Sequence, residues 1–263
     1  MAQRFYFDLR YQGQLFGNPG YAFYGMLMEH LPPELGEELH QQDCFLLRQS
    51  VRYWQREGRA SWTVDLFDPR LEPILTALAA EPSLPVQKLA FQVQATTSAP
   101  LPQPAELFSL AAERFGEADR CRIELLTPCT FRQQGRYVIF PTVELMVQSL
   151  AARWDLLHPD TPIRDPDAGR ELCRGLAIED YRLHTTRGQL KGVRIPAFCG
   201  SVILRQRLPA PLRQLWQVLL LSGEQTGMGA KTALGMGAIT AAPVPSRCDG
   251  EANRPRQGAS HLA

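Results

Sequence analysis

SGEQTGMGAKTALGMGAIT, residues 222–240, sets Gly223, Gly227, Gly229, Gly235 and Gly237 around the pair Lys231-Thr232. Glycine lets backbone approach a neighbour closely and takes positive φ without steric cost. A loop of this kind, with one lysine and one hydroxyl, suits the offer of backbone N–H groups to phosphate oxygens. It is not a nucleotide loop. The pattern GxxxxGK[ST] needs glycines where this chain has Gln225 and Ala230. The dinucleotide pattern GxGxxG fails too, because Gly227-x-Gly229 runs on to Thr232 and Gly235-x-Gly237 to Thr240. The order of elements is also reversed: a P-loop follows a strand and opens a helix. This loop follows Ala210–Leu221, whose Leu212, Leu215, Trp216, Leu219 and Leu220 recur at helical spacing, and it leads into a short strand at Met236–Ala241. Helix, glycine loop and last strand are how a β-α-β-β-α-β unit closes.

The N-terminal half reads in the same terms. Phe5, Phe7 and Leu9 alternate with polar residues in a first strand, Arg4–Tyr11. The turn GNPG (Gly17–Gly20) leads to an apolar helix, Tyr21–Leu31, stopped by Pro32-Pro33, and a short second helix runs from Glu34 to Gln42. Cys44–Arg56 and Ala60–Phe67 form a hairpin across REGR, then come a helix at Pro69–Ala80 and a strand at Lys88–Ala95. The fold class expected is therefore α+β, two tandem ferredoxin-like domains. The first is residues 1–98, and the proline-rich APLPQP supplies a linker at 99–104. The second spans 105–242, and the polar 243–263 reads as a disordered tail. Within the second, a helix at Ala105–Phe115 precedes a strand at Arg122–Leu126, a turn-containing Phe131–Phe140 and a helix at Glu144–Leu157. Strands follow near Ile178–Thr185 and Phe198–Gln206.

At 263 residues, 44% hydrophobic and 21% charged, the chain has the composition of a globular protein with ample core. No apolar run reaches membrane-spanning length, and MAQRFYFDLR alternates like a strand rather than a leader, so a cytoplasmic location is expected. Of 28 basic residues only Lys88, Lys191 and Lys231 are lysines. Arginine suits bidentate phosphate contact, although a GC-rich genome produces the same bias. The six cysteines, Cys44, Cys121, Cys129, Cys173, Cys199 and Cys248, show no metal-ligand spacing and read as reduced core residues. Neither a metal nor a cofactor is expected.

The segment GMGAKTALGMG resembles the glycine-rich signature of the CRISPR-associated endoribonucleases that process precursor CRISPR RNA, within the repeat-associated mysterious protein superfamily. Leu125–Leu157 is similar to that family's run of Thr-Pro, Phe-Arg, Phe-Pro, Ser-Leu and Arg-Trp. RLHTT (Arg182–Thr186) and FCGSVIL (Phe198–Leu204) resemble the strands that follow, and near the start GYAFYGML and EELH match the first helix and its histidine more loosely. The resemblance covers most of Arg4–Ala241. It implies an enzyme that binds CRISPR repeat RNA and cleaves precursor crRNA by 2′-hydroxyl attack, without metal, leaving a 2′,3′-cyclic phosphate and a 5′-hydroxyl. It also leaves room for other effector-complex subunits or a homodimer as partners, and for a non-catalytic RNA-binding subunit of the same fold.

His40 matches the histidine that the family usually carries after its first helix, so it is the expected general acid or base. His30, at the end of that helix, is the alternate. Tyr24, with Tyr21 as its rival, would lend a phenol. Arg48, with Arg52 beyond it, is the nearest cation where the family often has a lysine. His158 reads as a helix end, His184 as a strand-face residue or phosphate contact, and His261 falls in the tail. For RNA binding the resemblance implies Gly227, Gly229, Gly235 and Gly237 through their backbone, with the side chains of Lys231 and Thr232. Arg132, Arg136, Arg182, Arg187, Lys191 and Arg194 form either a phosphate track or a solvated face. Trp54 and Trp62, on paired strands, are expected in the core rather than against bases.

Overall fold

The computed structural model describes residues 2–40, 46–163, 165–190 and 193–245; for Leu39, His40, Gln189 and Leu190 it describes the backbone alone. Alternation along Gln3–Tyr11 (β1) places Phe5, Phe7 and Leu9 on a buried face and Arg4, Tyr6, Asp8 and Arg10 on the other. After Gly20–Glu29 (α1) and Pro33–His40 (α2), Leu47–Trp54 (β2) and Arg59–Leu66 (β3) form the hairpin. Glu72–Ala80 (α3) leads to Ser83–Val86 (β4) and Leu89–Pro100 (β5), and the sheet order is β2-β3-β1-β5-β4. The second half runs from Pro104–Phe115 (α4) through Arg120–Cys129 (β6) to a small hairpin, Phe131–Gln133 (β7) and Arg136–Val138 (β8). Val143–Leu157 (α5) and Pro166–Gly175 (α6) follow, then Leu176–Leu190 (β9), Val193–Gln206 (β10), Ala210–Thr226 (α7) and Ile239–Pro243 (β11).

The second sheet has the order β11-β6-β10-β9, and every pairing in both sheets is antiparallel. Set aside the extra β4, and each sheet places its fourth strand beside its first, then its third, then its second. That is the ferredoxin-like order, twice. Phe23, Met26 and Leu27 of α1, with Leu75 and Leu78 of α3, cover the first sheet; helices α4, α5 and α7 cover the second. The helix at Pro104–Phe115 thus joins the second core, its start fixed by a capping box between Gln103 and Glu106.

Four elements depart from the sequence expectation. β4 and α6 went unread: one is four residues of SLPV, and the other is a strongly amphipathic but polar helix, capped by Asp165 on the N–H groups of Asp167 and Ala168. β5 extends through Ala99 and Pro100, so the proline-rich stretch continues as an edge of pairing with Arg4 and Gln3 before the chain turns. The last strand begins at Ile239 rather than Met236: Met236 N–H donates to Lys231 within the loop, while Gly237 and Ala238 bond β6 out of regular register, through Pro128, Leu126 and the Thr127 hydroxyl. Among the described residues no helix is long and apolar enough to cross a membrane.

The two sheets are joined by charge as well as by packing. Asp65, fully buried on β3, accepts from Arg4 Nε at 2.5 Å and from Arg48 Nη1 at 2.9 Å, and Arg4 Nη2 reaches across to the carbonyl of Glu224 in α7 at 3.1 Å. Removing the carboxylate would leave a buried guanidinium uncompensated. Asp65→Ala is therefore expected to cost about 3–5 kcal/mol in chemical denaturation. Asp65→Asn, which keeps the shape and one acceptor, should cost distinctly less.

Candidate functional site

The glycine loop is built as a filled turn. α7 ends at Gly227, whose φ of +75° only glycine takes comfortably; a Cβ there would sit 2.7 Å from Thr232 Cγ2. At Gly237, φ +68°, a Cβ would sit 2.0 Å from the carbonyl oxygen of Met228. Met228 N–H donates to the Gly237 carbonyl, Gly237 N–H to Pro128, and Ala230 N–H to Thr130. Gly229 N–H donates to Ser149 Oγ at 2.8 Å, while its carbonyl accepts from Arg153 Nη2 at 2.5 Å. Arg153 is half-buried on α5, and desolvation of its guanidinium pushes its pKa down to about 10, still leaving it charged at neutral pH. The N–H groups expected to face phosphate at Gly227, Gly229, Gly235 and Gly237 are thus all taken up by protein acceptors. Thr232 is corrected as well: its side chain is buried, with its methyl against the backbone of Gly227 and Gly237. What the loop presents is Lys231, half-buried in the left-handed conformation at φ +65°.

This turn is docked on the first sheet. A Cβ on Gly235 would fall 2.6 Å from Gly20 Cα, and one on Gly20 2.7 Å from Gly235 Cα. Asn18 spans the contact: its Nδ2 donates to the Gly235 carbonyl and its Oδ1 accepts from Gly20 N–H, both at 3.0 Å. Gly20, Tyr24 and Met28 then follow one another, a turn apart, along one face of α1. A Cβ on Gly36 of α2 would meet Met28 Cε at 3.4 Å, and position 40 lies one turn beyond Gly36. Tyr24 therefore shares an α1 face with Gly20, which meets the glycine loop, and Met28, which meets α2. It is buried, and burial first, with Tyr21 adding to it, holds its phenol above the ordinary tyrosine range.

The other expected residues divide clearly. His40 closes α2, but its side chain lies outside the described residues, as does Lys191. His30 is exposed, and its Nδ1 donates to the Met26 carbonyl at 2.8 Å, leaving Nε2 open. His158 rests on the Trp154 ring, and burial lowers its pKa; His184 is exposed on β9. Arg48 is not beside an open site. It is 3% exposed and bound to Asp65 in the seam between the sheets, because β2 alternation turns it toward α7.

Arg132 and Arg136 are exposed on the β7–β8 hairpin, which leaves directly from Thr130, the residue that holds the loop at Ala230. Arg187 is exposed next to Gly188, where a Cβ would lie 2.9 Å from Met236 Cε of the loop, and Arg182 and Arg194 are exposed on the same long hairpin. Lys231 and two arginine-bearing hairpins thus converge on one turn. Sequence reasoning missed Asn18, read only as part of a GNPG turn, and misplaced Trp54. Trp62 is fully buried, but Trp54 is 37% exposed, with the guanidiniums of Arg52 and Arg59 at 5.4 and 5.7 Å from its ring. Asn18→Ala, which unpairs two buried backbone groups, is expected to lower stability by about 1–3 kcal/mol, measured as a shift in thermal midpoint.

The comparisons with known proteins fit this geometry. A family profile described as CRISPR-associated endoribonuclease Cas6 matches residues 123–239, which contain the glycine loop. A CRISPR-associated endoribonuclease Cas6 of Streptococcus thermophilus is 30% identical over 228 residues, covering 82% of this chain and 88% of the relative. One of Mycobacterium tuberculosis is 28% identical over 235 residues, covering 87% and 73%. The solved structure of a Cas6 product complex superposes with a TM-score of 0.73 at 22% identity, covering 92% of this chain and all of that one. With two ferredoxin-like sheets locked through a glycine loop, and that level of identity along most of its length, the chain belongs to the CRISPR-associated endoribonuclease Cas6 family.

Proposed function

We propose that this chain binds CRISPR repeat RNA and cuts precursor crRNA by attack of the 2′-hydroxyl on the adjacent phosphate. The bond to the leaving 5′-oxygen breaks, giving a 2′,3′-cyclic phosphate and a 5′-hydroxyl. RNA supplies its own nucleophile, so the protein has to align it, move two protons and meet the charge on phosphorus; a metal is not required for any of these. The observation that carries the reading is that Lys231 and two arginine-bearing hairpins meet at the glycine turn, which docks on Gly20 one helical turn before Tyr24, in a chain of this family.

His40 is the proposed general acid or base, one turn beyond the α2 glycine that meets α1. Tyr24 keeps its proton at neutral pH, since burial raises its pKa, and would donate a hydrogen bond to a non-bridging phosphate oxygen. Lys231 and the hairpin arginines would hold the backbone by charge. Arg48 has no part in this chemistry, because it serves Asp65.

His40→Ala is expected to slow cleavage of the repeat RNA about 10²- to 10⁴-fold with little change in RNA affinity. The assay is run in EDTA with analysis of product ends. Full-rate cutting by the variant removes His40 from the mechanism. No product from the wild-type protein, with RNA still bound, would instead establish an RNA-binding subunit without nuclease activity.

A further inference from the structure

The open face of the first sheet changes character along its length. The register aligns four rows across β2, β3 and β1: Arg48–Asp65–Arg4, Ser50–Thr63–Tyr6, Arg52–Ser61–Asp8 and Trp54–Arg59–Arg10. The first row is closed under α7. The last is open: Trp54 and Arg10 are exposed and Arg59 is half-buried, and Arg52 of the third row is exposed beside them. Arg52 lies against the Trp54 ring, and no carboxylate among the described residues pairs with it. Arg59 meets the same ring while pairing loosely with Asp8 at 3.5 Å and Glu57 at 3.7 Å. Beside Trp54 a cleft of about 200 Å³ runs between the sheets, bounded by Asn18–Pro19 on one side and Thr127–Pro128 on the other.

An indole in this setting is costly to leave in water. Trp62, Trp154 and Trp216 are each at most 2% exposed, whereas Trp54 is 37% exposed. Arginines around an exposed aromatic ring are what a nucleotide needs: a flat surface for its base and cations for its phosphates. Trp54 also lies about 17 Å further along β2 than Gln49, at roughly 3.3 Å per residue, and Gln49 is bonded to Gly20 beside the glycine loop. That distance spans several nucleotides.

We infer that Trp54, flanked by Arg52 and Arg59, is a stacking platform for one unpaired base of the substrate RNA, several nucleotides from the bond that is cut. The platform rests on the RNA-processing reading above and adds to it a fixed point that sets which phosphate reaches the glycine loop.

Trp54 is the one tryptophan that solvent reaches, so it reports on itself. Acrylamide quenching of the full chain should fall when repeat RNA saturates it. Trp54→Ala should weaken RNA binding about five- to 150-fold, with Trp54→Phe recovering most of the loss. Replacing repeat nucleotides one at a time by abasic spacers should identify a single unpaired position that matters to the wild type and not to Trp54→Ala. If Trp54→Ala binds and cuts as the wild type does, or the spacers act alike on both proteins, the platform is wrong while the RNA-processing reading stands. Failure of the wild type to bind the repeat at all overturns both.

Discussion

One chain of buried hydrogen bonds ties the glycine loop to the core of the first sheet. Trp62 Nε1 donates to Gln49 Oε1 at 2.7 Å, Gln49 Nε2 to the Gly20 carbonyl at 2.7 Å, Gly20 N–H to Asn18, and Asn18 Nδ2 to the Gly235 carbonyl. Each group in it is buried, so each would be expensive to unpair. The start of α1 is thereby fixed at both ends: to a tryptophan in the core and to a loop nearly the whole chain away in sequence. Tyr24, one turn further on, takes its position from that anchor. The two ferredoxin-like sheets are in this way held together by polar contacts as well as by packing.

The role of the glycines follows from the same contact. Their freedom from a Cβ allows Gly235 to lie on Gly20, and Gly229 to lie where a Cβ would be 2.4 Å from the Thr130 carbonyl oxygen. Close approach here is of backbone to backbone. The N–H groups of its glycines are already satisfied, so in the proposed function charge for a phosphate would come from side chains on elements beside the loop. Lys231 is displayed by its left-handed backbone, and Arg132, Arg136 and Arg187 by hairpins that pack directly on the turn. In the proposed function the glycine loop would then be a hub around which cations are displayed rather than the cradle itself.

Most of the fold could be read in the sequence because its signals are periodic. The alternation of Phe5, Phe7 and Leu9, the apolar spacing of Ala210–Leu221 and the proline stop at Pro32-Pro33 are local, and each produced the element expected. β4 and α6 were illegible for the converse reason: four residues give no period, and α6 is polar enough to resemble a loop apart from one buried leucine. The site was legible in part. The glycine run and its place after a helix located the hub, but whether its glycines face a ligand or another backbone depends on Gly20, which lies over two hundred residues away and carries no mark of that role. Asn18 was hidden likewise, since a turn asparagine and a clamp asparagine look alike until the partner carbonyl is known.

Arg48 and Arg52 show how far spacing alone can go. They stand on one face of β2, a single alternation unit apart from being neighbours on that face, and nothing in their local sequence separates them. Their difference comes from what lies above the sheet. Over Arg48 the end of α7 excludes water, and a charge there must be compensated by protein, which Asp65 does. Over Arg52 there is solvent, and its guanidinium rests on an aromatic ring instead. Desolvation therefore sorts the arginines of this sheet: those under the second sheet are committed to the fold, and those beyond its edge are left able to exchange water for an anionic ligand. The boundary falls between Ser50 and Arg52, where burial gives way to exposure along the strand.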